Sequence, residues 1–234
     1  MKPRKPSLLT SPVAWTRRKC KLMFQDMISA AGYKPIERID FMNMTGGDFA
    51  HVIDVGVADG TPDLYARFPN AYLDLFEPHP QYQQQLEATV LKAREGRLHK
   101  MGLGSKDGTA QLHLKGRTGS TFSGDRGEGA IEVPVRRLDQ VLEPGMIRRP
   151  CLLKIDTEGY ELEVLRGATG LLPHIDCIVS EMHFTLPHVY KPQDLIGHIE
   201  GLGFEMTEML DFHASQGRVW CADFVFRRKV ELMQ

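Results

Sequence analysis

His51-Val-Ile-Asp-Val-Gly-Val-Ala-Asp-Gly60, continued by Thr61-Pro62, is the stretch whose reading decides the fold. Val52, Ile53 and Val55 read as a short buried strand, since β-branched residues suit a pleated surface covered by its neighbours. Gly56 and Gly60 then break the chain into a tight turn where a ligand can approach the backbone. Thr61 is a good helix N-cap and Pro62 suits a first helical turn, so a helix starts there. Strand, glycine-bearing turn and helix N-terminus together point to a nucleotide or dinucleotide site.

The glycine spacing narrows the choice. A dinucleotide fingerprint needs G-x-G-x-x-G, with bare backbone around a pyrophosphate. Here the register is Gly56-x-Ala58-x-Gly60, and Asp59 places a carboxylate inside the loop. That charge repels a phosphate and suits a ligand with a cationic centre and free hydroxyls. S-adenosylmethionine has a sulfonium, an amino group, a ribose and no phosphate. A strand-turn-helix with glycines for geometry alone is the competing account of these residues.

Outward from this stretch, strands and helices alternate. The pattern predicts a helix over 62–68, a strand over 71–76, a polar helix over 80–95 and a strand from Leu98 to Leu103. An exposed strand over 109–114, a glycine-rich flexible loop over 116–130, a strand from Ile131 to Arg136 and a brief helix over 138–142 come next. The strongly apolar Cys151–Asp156 is a strand, 160–168 a helix, 177–184 a strand and 193–202 a helix. Strands over 204–210 and 219–227 close the chain. Such alternation implies an α/β fold, a mostly parallel sheet with helices on both faces.

In a doubly wound sheet, ligands bind beyond the carboxyl ends of the strands, so the residues just after each strand carry the information. The first strand gives Asp54, Gly56, Ala58, Asp59 and Gly60. The second gives Glu77-Pro78, and Glu77 falls 23 positions after Asp54. An acid about 20 residues past the first loop is placed to hold both ribose hydroxyls. Gly102 and Leu103 would let an adenine ring lie against backbone, and the Ser120 and Thr121 hydroxyls would reach a cofactor carboxylate. The fourth strand gives Asp156. Lys154, two positions earlier in the same apolar run, needs a buried partner, either Asp156 or Glu181. The fifth gives Glu181 and His183 on one face. His183 is a candidate general base because an imidazole titrates near neutrality. Asp156, Glu181 and His183 also have ligand chemistry for a divalent metal. Such groups more often form hydrogen-bonded networks, so no metal ligand is assigned. His79, His99, His113 and His174 read as surface residues.

Composition bounds the rest. A chain of 234 residues with 42% hydrophobic and 25% charged residues is one globular domain with room for an extension. Residues 46–234 are assigned to the domain and 1–45 to a basic, partly helical extension, with a helix over 13–31. The net charge of −1 gives no global reason to expect a nucleic-acid partner. Lys2, Arg4, Lys5, Arg17, Arg18, Lys19 and Lys21 precede the first acid and read as a solvated arm. Cys20, Cys151, Cys177 and Cys221 form no C-x-x-C pair, which points to reduced thiols and a cytoplasmic protein. No apolar run is long enough to span a membrane, and the N-terminus lacks a signal-peptide core. Nothing fixes the oligomeric state, a homodimer being one option.

Taken in order, VIDVGVADG (52–60), LFEPHP (75–80), GLGSKDG (102–108), VPVRRLDQVL (133–142) and LLKIDTEGYELEVLRGA (152–168) resemble the FkbM-type S-adenosylmethionine-dependent methyltransferases. The first motif of that family runs D-V-G-A-N-x-G, where this chain has Asp54-Val-Gly-Val-Ala-Asp-Gly60. The resemblance implies a class I methyltransferase, Rossmann-like sheet of seven strands in the order 3-2-1-4-5-7-6, with the last strand antiparallel. It implies that Asp54, Gly56 and Gly60 wrap the methionine part, Glu77 holds the ribose and Asp156 faces the methyl-transfer centre. It also implies O-methylation of a sugar, glycolipid or natural-product hydroxyl. From their chemistry and place at the strand ends, His183 or Asp156 is expected to act as the base for such a transfer, with Glu181 orienting. Three rivals remain at this level. The missing G-x-G-x-x-G argues against a nicotinamide oxidoreductase. The altered first motif is the one support for a non-catalytic cofactor-binding module. The arm at 2–21 is the one support for a nucleic-acid methyltransferase.

Overall fold

A computed structural model describes residues 40–115, 119–123, 130–184 and 190–229, with the side chains of 113–115, 119–123 and 215 outside the description. The expected N-terminal extension and its helix over 13–31 therefore lie outside the described residues, as does the segment 185–189.

The first strand, β1 (His51–Val55), lies at the centre of the sheet. It pairs in parallel with β2 (Tyr72–Phe76) on one side and with β8 (Cys151–Ile155) on the other. Outside β2 lies β3 (Glu95–His99), and outside β8 lies β9 (Cys177–His183), both parallel. The long hairpin β10 (Phe204–Ser215) and β11 (Arg218–Arg228) completes the sheet, with β11 antiparallel to both β9 and β10. The order β10-β11-β9-β8-β1-β2-β3 is that of a class I methyltransferase sheet, as the resemblance implied.

Alternation along each strand explains why helices are needed on both faces. Ile53, Val55, Leu153, Ile155 and Ile178 are buried in one apolar core, and Val52, Leu152, Leu73, Leu75 and Val179 in another. Such strands, buried on both faces, read as continuous apolar runs. The covering helices are α1 (Pro62–Arg67), α2 (Pro80–Lys92), α3 (Leu138–Val141), α4 (Glu161–Arg166) and α5 (Pro192–Gly201). On α5, Leu195 and Ile199 are fully buried, an i,i+4 pair on the sheet-facing stripe. Among the described residues no helix is long and apolar enough to cross a membrane.

Between β3 and β8 the chain departs from the expected pattern. The strand expected from Leu98 to Leu103 is two strands in two sheets. β3 starts at Glu95, where a helix was expected to end, and stops at His99. Gly102–Leu103 is a separate strand, β4, in a four-stranded sheet of order β4-β7-β5-β6. Its other members are β5 (Gly108–Lys115), β6 (Gly119–Ser123) and β7 (Ile131–Arg136). Part of the expected glycine-rich loop is thus β6, paired antiparallel to β5. Pairing between segments distant in sequence overrides local glycine content here.

Two histidines expected on the surface are buried. His99 is 7% exposed, stacks on Phe76 at 4.2 Å between ring centroids, and meets Asp74 Oδ1 at 2.7 Å. The other Asp74 oxygen meets His51 Nε2 at 3.0 Å, so one buried carboxylate ties β1, β2 and β3 together. His79 caps α2, its Nδ1 accepting the Gln81 N–H at 3.1 Å. Its neighbour in that expectation, His174, is half-buried, and the side chain of His113 lies outside the description.

Candidate functional site

Past the end of β1 the chain turns at Gly56 over the end of β8. Its φ is +77°, and a Cβ there would stand 1.8 Å from the Asp156 carbonyl oxygen, so only glycine fits. Ala58 follows with φ of 47°, a conformation held by its N–H, which donates to Glu77 Oε2 at 2.8 Å. The second Glu77 oxygen accepts the His79 N–H at 2.7 Å. Glu77 is 4% exposed, and burial raises its carboxyl above the ordinary range while the two backbone bonds pull it down.

Beneath this turn lies Asp54, fully buried. Tyr65 on α1 donates its hydroxyl to Oδ2 at 2.7 Å, and Lys154 Nζ stands 3.5 Å from Oδ1, an atom with no hydrogen bond. Lys154 in turn donates to Asp156 Oδ2 at 3.1 Å. Burial alone would strip the lysine of its proton, but Asp156, Asp54 and Asp223 hold it firmly charged. Of the two partners expected for Lys154, the structure selects Asp156 and adds Asp54. Asp156 is pushed well above the ordinary carboxylate range by burial, against the pull of Lys154. A third of its side chain faces the cavity, where water tempers that burial.

Glu161 shapes the turn after β8. Its Oε1 accepts the Thr157 N–H at 2.9 Å and the Gly159 N–H at 3.0 Å, which sets Asp156 and Glu158 at the cavity wall. On β9, Glu181 Oε2 lies 2.8 Å from His183 Nε2, and Glu158 Oε2 lies 3.3 Å from the same nitrogen. Burial would raise Glu181, yet His183 holds it at about 2. Burial would lower His183, yet Glu181 lifts it to about 9. Asp223, the cross-strand neighbour of Glu181 on β11, is pushed up by burial to about 6.

These groups border a cavity of about 360 Å³, within the range of small-molecule sites. Gly56, Ala58, Asp59, Gly60, Glu77, Pro78, Gly102, Leu103, Asp156 and Glu181 line it. One end is apolar, formed by Phe76, Met101, Leu103 and Leu112, and the other holds Lys154, Asp156, Glu158, Glu181, His213 and Trp220. Asp54 and His183 stand behind the described wall, Asp54 under the turn and His183 against Glu181. The backbone of Ser120 and Thr121 lies in β6, and their side chains are outside the description.

Tyr65, Glu161, His213, Trp220, Cys221 and Asp223 were not anticipated. Glu161 carries the one local signal, lying two residues beyond the Glu158-Gly159 turn that it closes. The last four reach the site only through the antiparallel return of β11 and its pairing with β9 and β10.

Residues 54–217 match the methyltransferase FkbM domain. A hexuronic acid methyltransferase, AglP, from Haloferax volcanii is 36% identical over 56 residues, which are 24% of this chain and 23% of that protein. Methyltransferase 1 from Beauveria bassiana is 28% identical over 148 residues, 51% of this chain and 59% of that protein. The matches thus span less than two thirds of either relative. Among solved structures, the Synechocystis PCC 6803 magnesium protoporphyrin IX methyltransferase with bound SAM is 9% identical with a TM-score of 0.45, covering 97% of this chain and 87% of that one. The N-methyltransferase NodS from Bradyrhizobium japonicum WM9 is 10% identical with a TM-score of 0.46, covering 94% and 100%. With the domain match running from the Asp54 turn into the β10–β11 hairpin, the chain belongs to the FkbM methyltransferase family.

Proposed function

We propose that this chain transfers a methyl group from S-adenosylmethionine to a hydroxyl oxygen of a sugar, glycolipid or natural product. The observation that carries the reading is Glu77. Each of its oxygens takes one backbone N–H, which leaves each with capacity to accept a further bond from a vicinal diol at the cavity wall. The surroundings fit the rest of the cofactor. The apolar end beside Gly102 and Leu103 suits an adenine ring, and the turn from Gly56 to Gly60 suits the methionine part. Asp54 Oδ1, buried without a hydrogen bond, and the neighbouring acids suit a cationic ligand. With Asp59 in the turn, the same surface is hostile to a pyrophosphate.

When bound, the cofactor supplies a methyl group activated by a positively charged sulfur. The residues have to exclude water, orient the acceptor and take one proton. Asp156 faces the cavity, so it is the better placed of the two candidate bases, and Lys154 fixes its orientation through Oδ2. Glu181 shares that end of the cavity and orients the acceptor hydroxyl. His183, set behind Glu181, is a positioning residue in this scheme. Well-oriented reactants alone account for about 7–11 kcal/mol of barrier in favourable cases, and a positioned base for about 10²–10⁴-fold more. The sugar class is supported by the hexuronic acid methyltransferase relative, and only over its matched segment.

Calorimetric titration of S-adenosylmethionine, followed by transfer of labelled methyl to a panel of hydroxyl acceptors, tests the proposal. Micromolar binding and label on oxygen are expected. An absence of heat at millimolar cofactor would sink it.

A further inference from the structure

The antiparallel pairing of β11 with β9 sets Cys221 directly opposite His183 and Asp223 opposite Glu181. Glu181 and His183 are two residues apart on one strand, so their side chains and that of Cys221 share a face. The ligand atoms of Glu181, His183 and Cys221 all lie within 4.8 Å of one another. Cys221 is fully buried and His183 is 4% exposed. Glu181 Oε2 and His183 Nε2 form a buried ion pair at 2.8 Å. A carboxylate, an imidazole and a thiol thus converge at one buried spot between β9 and β11, three ligand types gathered within reach of a single ion. Glu158 Oε2, 3.3 Å from the same imidazole nitrogen, adds a second carboxylate beside the site.

From this cluster we infer that Glu181, His183 and Cys221 bind a divalent transition metal, with zinc the best match. A carboxylate, an imidazole and a thiolate are the ligand types zinc accepts, and three protein ligands leave its fourth position open. Ligands sharing a tetrahedral ion at about 2.0–2.3 Å stand roughly 3.3–3.8 Å apart, so the ion would part the Glu181–His183 pair by about 0.5 Å and draw wider pairs in by up to about 1 Å. Two anionic ligands and a neutral imidazole balance the charge of the ion, and uptake releases the protons held by the thiol and the imidazole. Because Glu181 lines the cavity, the open position adjoins the acceptor end. An ion there would act as a Lewis acid on the acceptor hydroxyl, lowering the cost of its deprotonation. That catalytic role rests on the methyl-transfer reading above, whereas metal uptake does not. The rival arrangement is a protonated imidazole held between the Glu158 and Glu181 carboxylates, with Cys221 a plain buried thiol.

The test uses the untagged full chain, stripped with a chelator and titrated with Co²⁺ as a spectroscopic stand-in for zinc. The expected result is one equivalent bound, a thiolate-to-cobalt charge-transfer band in the near ultraviolet, and displacement of that band by Zn²⁺. Cys221→Ser is expected to lose the band. His183→Gln is expected to weaken the metal by more than about tenfold, at least the loss seen when a supporting residue is removed. A wild-type chain that is folded by circular dichroism but shows no band at one equivalent overturns the inference, and this arm needs no variant to fold. A band that persists in Cys221→Ser overturns it too, by placing the ion on another thiol. Calorimetry with S-adenosylmethionine on the same samples separates the two readings. Cofactor binding without metal uptake removes only the metal, and metal uptake without cofactor binding removes only the methyl donor.

Discussion

Replacing Glu77 by alanine probes the loop and the cofactor together, and the two effects differ in size. The carboxylate is buried and accepts N–H groups from Ala58 and His79 at 2.8 and 2.7 Å. Removing it leaves two backbone donors without partners, about 1–3 kcal/mol each where water cannot enter. The cavity abuts both, so water recovers part of that, and a loss of about 2–3 kcal/mol in stability is expected. For the cofactor, two hydrogen bonds from a ribose diol to an ionised acceptor are worth about 1.5–3 kcal/mol each. Their loss predicts a Kd raised about 10²–10⁴-fold. Calorimetry at a temperature well below the melting transition of the variant reads the second number free of the first. Glu77→Gln is the sharper comparison. It keeps one acceptor, but its amide NH₂ must face a backbone N–H, so it should bind with an intermediate Kd. A Glu77→Ala chain that is folded and binds S-adenosylmethionine within twofold of wild type would refute the assignment of this carboxylate to the ribose.

Gly56→Ala should fail to accumulate as folded protein. A residue with φ of +77° costs about 1–2 kcal/mol in an L-amino acid, and its Cβ would meet the Asp156 carbonyl oxygen at 1.8 Å. Gly47→Ala, where a Cβ meets nothing within 4 Å, should melt within about 0.5 kcal/mol of wild type in the same expression test. Burial alone would raise Asp74, but hydrogen bonds from His51 and His99 hold it below the ordinary range. A lowered pKa contributes stability above the unfolded value, about 3.9, and loses it as pH falls further. Asp74→Asn should therefore cost about 1–3 kcal/mol near neutrality, with a gap to wild type that narrows below about pH 4 in denaturant titrations. Lys154→Met should destabilise by about 3–5 kcal/mol, because it leaves Asp54 and Asp156 facing each other without their shared cation, and a melt indistinguishable from wild type would show that one of them is protonated in the fold. Asp156→Asn should keep the cofactor Kd within about threefold while methyl transfer falls about 10²–10⁴-fold; equal losses in both would make Asp156 a cofactor ligand and not the base.

What could be read in the sequence was what is local. The Asp54–Gly60 turn is encoded by contiguous glycines and a first-turn proline, and Glu77 by its place at a strand end. The order of the sheet came from resemblance, because alternation of strands and helices does not specify which strands are neighbours. Contacts between distant segments were hidden. Gly102–Leu103 looked continuous with β3 because the apolar pattern runs on, whereas pairing with β7 draws it into a second sheet. His99 looked exposed because it is polar and ends a strand, yet Phe76 and Asp74 give it both a stacking face and a hydrogen-bond partner. Cys221 looked like any apolar strand residue. Its chemistry emerges only when the antiparallel register of β11 sets it against His183.

The charge pattern of the site follows from the same topology. Parallel strands bring their carboxyl ends to one edge, and here β1 supplies Asp54, β9 supplies Glu181, and the chain just past β2 and β8 supplies Glu77 and Asp156. The antiparallel β11 delivers Asp223 from mid-strand. Among the described residues, Lys154 and His183 form ion pairs with these acids and are thereby committed to carboxylates. Burying acids together is costly unless a cation completes the set. Asp223, displaced to about 6, and the Asp54 Oδ1 and Asp223 Oδ1 atoms that lack a hydrogen bond are the residue of that cost in the protein alone. The deficit has two parts: one beneath the glycine turn, suited to the diffuse charge of a sulfonium, and one between β9 and β11, suited to the compact charge of a metal ion. A single edge of acids, split by Lys154, thus gives the polar side of the site two places suited to a cation.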